Sequence, residues 1–204
     1  FSSSEEMERF KFKYNISDRP KLFSQIFPVL PKKSDITFSI EPQLNFLFIG
    51  SDMVLQNHFT LDFLVNIWNK YKISNKLYVI GKMVGNYKYN DNIIFLGYVD
   101  DLDEYYYKMD ALLSPSFIEG GIKTKVLEAA KYNLPAVGNK ITFEGFKLLD
   151  NYPFVIEQDN YPQFLSLSRQ EFDNQKIDAL DSVKELLKVH NIKNHALLLE
   201  ELII

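Results

Sequence analysis

Short apolar runs alternate along this chain with longer stretches in which apolar residues recur at helical spacing. Leu44-Asn45-Phe46-Leu47-Phe48-Ile49 is apolar almost throughout and stops at Gly50-Ser51, the pattern of a buried strand followed by a turn. Over residues 58–72, Phe59, Phe63, Ile67 and Tyr71 recur every four residues. Leu61, Leu64 and Trp68 widen that stripe, and a helix is predicted. Further strands are predicted at 76–80, closed by Gly81, at 93–96, closed by Gly97, at 111–115 and at 134–137, with a sixth candidate at 154–156. Helices are predicted between them at 102–109 and 124–132. Strands that are apolar throughout and alternate with helices predict an α/β fold, an open, doubly wound parallel sheet covered on both faces. Ligands of such sheets bind outside the carboxyl ends of the strands. Here those ends are Gly50-Ser51, Gly81-Lys82, Gly97-Tyr98-Val99, Pro115-Ser116 and Gly138-Asn139.

The flanks read differently. Residues 1–14 suggest a short helix, with serines at its cap, Glu5 and Glu6 at its positive end, and Met7, Phe10 and Tyr14 at helical spacing. Residues 15–43 are irregular and broken by Pro20, Pro28, Pro31 and Pro42, with room for one strand at 23–30. After Asn160 the pattern turns helical. Leu165 and Leu167 begin it, Ile177, Leu180, Val183, Leu186 and Leu187 form a stripe, and a last helix is expected at 196–203. The expected organisation is a leading connector at 1–43, a compact unit at 44–160 and packing helices at 161–204. The chain opens Phe1-Ser2-Ser3-Ser4-Glu5-Glu6, which resembles a helix cap in mid-protein, so we expect a piece of something longer.

Composition narrows the chemistry. The chain's 204 residues amount to about 1.4 typical domains, enough for one unaided core. With no cysteine, disulfides, thiolate nucleophiles and zinc–thiolate sites are excluded. The three histidines, His58, His190 and His195, are far apart or on one late segment, and no metal site is expected. A formal charge of −4 argues against general nucleic-acid binding. No apolar run approaches the roughly 20 residues that span a bilayer.

The informative stretch is Ser114 to Ala130. A strand ends, paired glycines follow, and a helix begins near Lys123. Backbone N–H groups at a helix start bind anions, and Gly120 and Gly121 let a phosphate approach the backbone. Lys123 and Lys125 put positive charge at the helix end where cations are unfavourable, which a need for anions there would explain. A solvated helix face is the competing reading of both lysines. Glu128 lies one turn further on and could reach a sugar hydroxyl. The stretch is neither a Walker loop nor a Gly-x-Gly-x-x-Gly fingerprint.

Gly120-Gly-Ile-Lys-Thr-Lys-Val-Leu-Glu-Ala-Ala130, Asn133-Leu-Pro-Ala-Val137 and Phe143-Glu-Gly-Phe146 together resemble the donor-binding domain of the GT-B glycosyltransferases of family 4. Phe48-Ile-Gly-Ser51 and Ile94-Phe-Leu-Gly-Tyr-Val99, with Asp101 after it, resemble two further segments of that family in the same order. The resemblance implies a Rossmann-like half of a two-domain, retaining, hexosyltransferase-like enzyme of glycan or polysaccharide assembly. A glycan or lipid-linked acceptor would be held by an N-terminal domain that this chain does not match, and the chain alone would be inactive. The donor would be a nucleotide-diphosphate-sugar, with no metal or other cofactor. The setting would be cytoplasmic, at the inner face of the membrane for a peripherally associated protein.

Carried over position by position, the resemblance implies that Glu128 binds the nucleotide ribose. Gly121 and Ile122 would contact the phosphates through their amides. Lys125 is the subgroup's basic residue, and Val99 meets the base through its backbone. Gly50 and Ser51 form the first strand-end loop, and Gly120 and Lys123 complete the donor loop. Two departures stand out. Gly120 occupies the place of the motif's first glutamate, so the candidate catalytic residue, Glu119, is one position early. The loop from Gly50 to Asn57 lacks the basic residue many relatives place there, and Asn57 or His58 is the candidate substitute. A nucleotide-sugar epimerase on the same fold, or a non-enzymatic doubly wound interaction module, are the alternatives.

Overall fold

The structure is a computed structural model, and it describes residues 8–9, 12–13, 39–83, 90–146 and 151–190. Five parallel strands form one sheet: β1 (Asn45–Ile49), β2 (Lys76–Ile80), β3 (Ile93–Gly97), β4 (Ala111–Leu113) and β5 (Ala136–Val137), in the order β3-β2-β1-β4-β5. The chain starts in the middle, runs outward through β2 and β3, then returns to add β4 and β5 on the other side. The direction of winding therefore reverses between β1 and β4, and the crevice above that reversal is where a ligand site belongs. Leu47 of β1 pairs with Tyr78 on one side and Leu112 on the other. The predicted doubly wound parallel sheet is the one observed.

Helices cover the sheet: α1 (Leu55–Tyr71), α2 (Asp103–Lys108), α3 (Thr124–Ala130), α4 (Tyr161–Leu165) and α5 (Arg169–Val189). Consecutive β1 residues Phe46, Leu47 and Phe48 are all fully buried, as a strand sandwiched between layers requires. Phe46 meets Trp68 of α1 and Phe172 of α5 edge-on, at ring separations of 6.2 and 5.9 Å. Phe172 also stacks on Phe154, at 5.2 Å, so the late helix shares the core of the sheet. A capping box between Ser168 and Glu171 starts α5.

At the amino end of the sheet, Arg169 forks onto Asp110, with Nη2 2.9 Å from Oδ2. Its other donors reach the carbonyls of Glu41 and Gln43, and Asp110 accepts the Asn45 amide at 2.8 Å. This clamp joins the start of α5, the entry to β1 and the turn before β4.

Some expectations need correction. Helix α1 starts at Leu55, three residues earlier than the pattern suggested, and its buried face is Asn57, Thr60, Leu61, Leu64, Val65, Ile67 and Trp68. Phe59 and Tyr71, the ends of the predicted stripe, are 45% and 49% exposed. A step of four residues overshoots a helical turn by about 40°, so a strict every-fourth stripe winds off the core. The sixth strand is only a single bridge between Gly138 and Val155, because β5 ends one residue earlier at Val137. Ile177, placed in the apolar stripe of α5, faces outward. Residues 8–9 and 12–13 are helical. The predicted strand at 23–30, the last helix at 196–203 and His195 lie outside the described residues.

Candidate functional site

The site lies at the carboxyl edge, where β1 and β4 part. Strand β1 ends at Ile49, and the chain must turn within the crowded middle of the sheet. Gly81, at the end of β2, has a φ of +111°, and a Cβ there would lie 1.8 Å from the Gly50 carbonyl oxygen. Only glycine fits that approach. The Gly50 amide donates to the Ile80 carbonyl at 3.0 Å and the Asp52 amide to the Lys82 carbonyl at 2.9 Å, which fixes the Gly50-Ser51 loop.

Into this corner reaches Lys125, from the first turn of α3. Its ammonium donates to the Ile49 carbonyl at 2.9 Å and to Asn57 Oδ1 at 3.0 Å, and it lies 5.4 Å from the centre of the Phe48 ring. Asn57 completes the link by donating from Nδ2 to the Ser51 carbonyl at 3.0 Å. The β1 loop lacks a basic residue of its own, and α3 delivers one to its base. Burial pulls the Lys125 pKa down to about 8; the Glu128 carboxylate pulls it up and Lys123 pushes it further down. His58 points elsewhere, with Nε2 2.9 Å from the Asp52 carbonyl.

The loop between β4 and α3 is held from both sides. Gln56 Oε1 accepts the amides of Phe117 and Ile118 at 3.2 and 2.8 Å, while Thr60 Oγ1 donates to the Pro115 carbonyl at 2.7 Å. From the β5 side, Asn139 accepts the Ser116 amide and donates to the Ser116 carbonyl, at 3.2 and 2.7 Å. Thr142 donates to the Ser114 carbonyl at 2.6 Å. Gly120 and Gly121 then take φ values of +105° and +69°, in the left-handed region that favours glycine. A Cβ on Gly120 would meet no atom within 4 Å, so its backbone faces open space.

The remaining sequence candidates fall into place around this corner. Lys123, at the cap of α3, donates to the Gly120 and Ile118 carbonyls at 2.8 and 3.3 Å, and so ties the loop to the helix. Ile122, between them, is half-buried. Glu128 is exposed on α3, one turn beyond Lys125. Burial raises the Tyr106 hydroxyl well above its ordinary range and the Glu128 carboxylate adds to this, so Glu128 lies alongside α2. Val99 follows β3, two strands away from β1, and packs against the core. Glu119 turns out of the loop to Arg9, whose Nη1 donates to Oε2 at 2.8 Å, and the same guanidinium pairs with Glu144. His190 is buried and meets Phe146 edge-on at 5.9 Å.

Sequence reading overlooked Gln56, Thr60, Thr142 and the Arg9 contact. The first three are polar residues on faces that otherwise pack, which was the one available signal. Arg9 had none, because its partners lie more than a hundred positions away. The start of the seven-residue helix α3 offers about half a positive charge, so the full charge of Lys125 is the larger source. Among the described residues, no group of three or more His, Asp or Glu could hold a metal ion, and no helix is long and apolar enough to cross a membrane.

A parallel sheet that reverses winding between β1 and β4, with a glycine loop and a half-buried lysine at that crevice, defines a Rossmann-like domain of the GT-B kind. The chain belongs to the family described as glycosyl transferases group 1, whose profile matches residues 43–165, more than half of its length. No curated protein sequence matches it. Among solved structures, TarM, which is from S. aureus, superposes with a TM-score of 0.66 at 16% identity, over 97% of this chain and 41% of that one. Anabaena HepE, solved in complex with UDP and glucose, gives a TM-score of 0.61 at 12% identity, over 79% of this chain and 48% of HepE. WaaG, a glycosyltransferase involved in lipopolysaccharide biosynthesis, gives 0.54 at 17% identity, over 74% of this chain and 44% of WaaG. The chain thus spans less than half the length of these three neighbours.

Proposed function

We propose that this chain is the nucleotide-sugar donor-binding domain of a retaining glycosyltransferase that extends a glycan or polysaccharide. The observation that carries this reading is the placement of Lys125. An ammonium has three N–H donors, and two are committed to Ile49 and Asn57. The third is directed to the donor's diphosphate, between the Gly50-Ser51 loop and the Gly120-Gly121-Ile122 amides. Glu128, exposed one turn further along α3, accepts from the ribose hydroxyls, and the backbone near Val99 meets the base.

As the sugar leaves, negative charge grows on the diphosphate. Lys125 and the loop amides are already oriented toward it, so the charge is stabilised without reorganisation. The residues involved need no metal for this step. Proteins of the same fold bind such donors, HepE with UDP-glucose being one instance. The acceptor, glycan or lipid-linked, would be held by a domain this chain does not match, and the chain alone would bind donor without turnover.

The test is thermal stabilisation by a panel of nucleoside diphosphates and their sugar conjugates. A shift confined to one base, saturating below millimolar ligand, is the expected result. A folded chain that no nucleotide stabilises at millimolar concentration would contradict the reading and leave the interaction module standing.

A further inference from the structure

We propose that Tyr106 is a positioning residue for the nucleotide's ribose, whose hydroxyl donates to the Glu128 carboxylate while Glu128 accepts from the ribose hydroxyls. This rests on the donor-binding reading above and deepens it.

Helix α2 carries Tyr105, Tyr106 and Tyr107 in succession. Tyr106 is 4% exposed, and its ring stacks on Tyr132 with centroids 4.6 Å apart and planes 7° from parallel. Tyr107 meets the same Tyr132 ring edge-on at 5.2 Å, and the Tyr132 hydroxyl donates to Asp103 at the start of α2. Tyr132 follows α3, four positions after Glu128, and its amide still bonds back to the Ala129 carbonyl at 3.0 Å. Residues four apart on helical turns share a face. The Tyr106 ring therefore lies against the side of α3 that carries Glu128.

Packing accounts for the ring but not for its hydroxyl. The Tyr106 oxygen is buried and has no hydrogen-bond partner among the described residues. Such a group has given up water without replacement, which is costly and rare in folded proteins. Two carboxylates act on it, Glu128 more strongly than Asp103, and Asp103 already receives the Tyr132 hydroxyl. Burial, with Glu128 next in effect, keeps the Tyr106 hydroxyl protonated far above neutral pH, so it is available as a donor throughout the working range.

Glu128 has the complementary need. Its side chain is exposed, so water can solvate the carboxylate. A ribose laid against that carboxylate displaces the water, and a desolvated carboxylate has to be hydrogen-bonded. The ribose hydroxyls supply donors from the cleft side. Tyr106 supplies one from the α2 side, and the carboxylate is fixed between the two. Phenylalanine at this position keeps the stack on Tyr132 and removes only the donor.

The experiment is calorimetric titration of the 204-residue chain with UDP, GDP and ADP and with their 2′,3′-dideoxy counterparts. The readout is the ratio of dissociation constants, dideoxy over ribo, in the wild type, Tyr106→Phe, Glu128→Ala and the double variant, with a melting curve for each. The wild-type ratio should be about tenfold for the preferred base, and Tyr106→Phe should cut it about threefold or more while leaving the dideoxy affinity unchanged. The double variant should match Glu128→Ala, because the hydroxyl acts only through that carboxylate. Tyr106→Phe should melt no lower than the wild type, since it removes an unpaired hydroxyl. An unchanged ratio in Tyr106→Phe, equal weakening of both ligands, or a fall in melting temperature would overturn the proposal, the last two by showing a role in packing alone. A wild type that binds ribo and dideoxy compounds equally would overturn it together with the ribose assignment of Glu128, while leaving the diphosphate site intact. A wild type that binds no nucleotide at all marks failure of the donor-binding reading itself.

Discussion

Lys125 takes its character from where its ammonium ends up. Its stem is carried by α3, but its charge is delivered to the base of β1, where two oxygens and the Phe48 ring surround it. The sequence suggested the anion role through the lysine's place at a helix start. It could not show the Asn57 contact, which joins residues 68 positions apart. Gly120 and Gly121 were legible because left-handed backbone selects glycine. Glu128 and Glu119 look alike in sequence, and the structure separates them. Glu128 lies on the Lys125 helix, whereas Glu119 turns toward Arg9 and Glu144. Glu128→Ala should therefore weaken nucleoside diphosphate binding by about tenfold, as loss of a charge-assisted hydrogen bond does, and Glu119→Ala should leave it unchanged. Titration with the diphosphate alone checks this, and the reverse order would refute the ribose assignment.

At the level of elements, the strands were easier to read than the helices. A buried parallel strand is a short apolar run with a turn signal after it, and β1, β2 and β3 follow that pattern closely. Helix α1 was misread because Phe59 and Tyr71 are apolar without being buried, while the polar Asn57 and Thr60 on its inner face looked like surface. Those polar positions hold the edges of the crevice, Asn57 bonding Ser51 and Lys125 and Thr60 bonding the Pro115 carbonyl. Gln56, at the exposed start of the same helix, is the residue that holds the Phe117 and Ile118 amides. Removing it leaves the β4–α3 loop held on the α1 side by Thr60 alone, at the Pro115 carbonyl. Gln56→Ala should lower nucleotide affinity several-fold, on the scale of a lost hydrogen bond or two, with a small change in melting temperature. Hydrogen exchange at the Phe117 and Ile118 amides should speed up in the same variant. Unchanged exchange would mean the loop is held by other means.

For the whole molecule, periodicity gave the sheet's class, but the strand order needed the structure. The order β3-β2-β1-β4-β5 puts the winding reversal, and hence the site, between β1 and β4. The clamp of Arg169 on Asp110 at the opposite end of the sheet was invisible in sequence, because its partners are scattered over the entry to β1, the β4 turn and the start of α5. Asp110→Ala should destabilise the fold by about 3–5 kcal/mol, since it strands a part-buried guanidinium and the Asn45 amide, and denaturant unfolding would measure it. Lys125 behaves differently. Its folded pKa of about 8 lies below the ordinary lysine value of 10.5, so the unfolded chain keeps its proton longer as pH rises. The empty domain should then gain stability from pH 8 upward, while its hold on a phosphate weakens as the ammonium is lost. The most direct test of the account is the dissociation constant for the nucleoside diphosphate measured from pH 6.5 to 9.5, in the wild type and in Lys125→Met. The wild type should bind evenly up to about pH 8 and then lose close to tenfold per pH unit, whereas Lys125→Met should bind at least about tenfold more weakly at pH 7 and show no such fall. Equal affinities at pH 7, or the same fall in both proteins, would contradict the claim that Lys125 holds the donor's diphosphate.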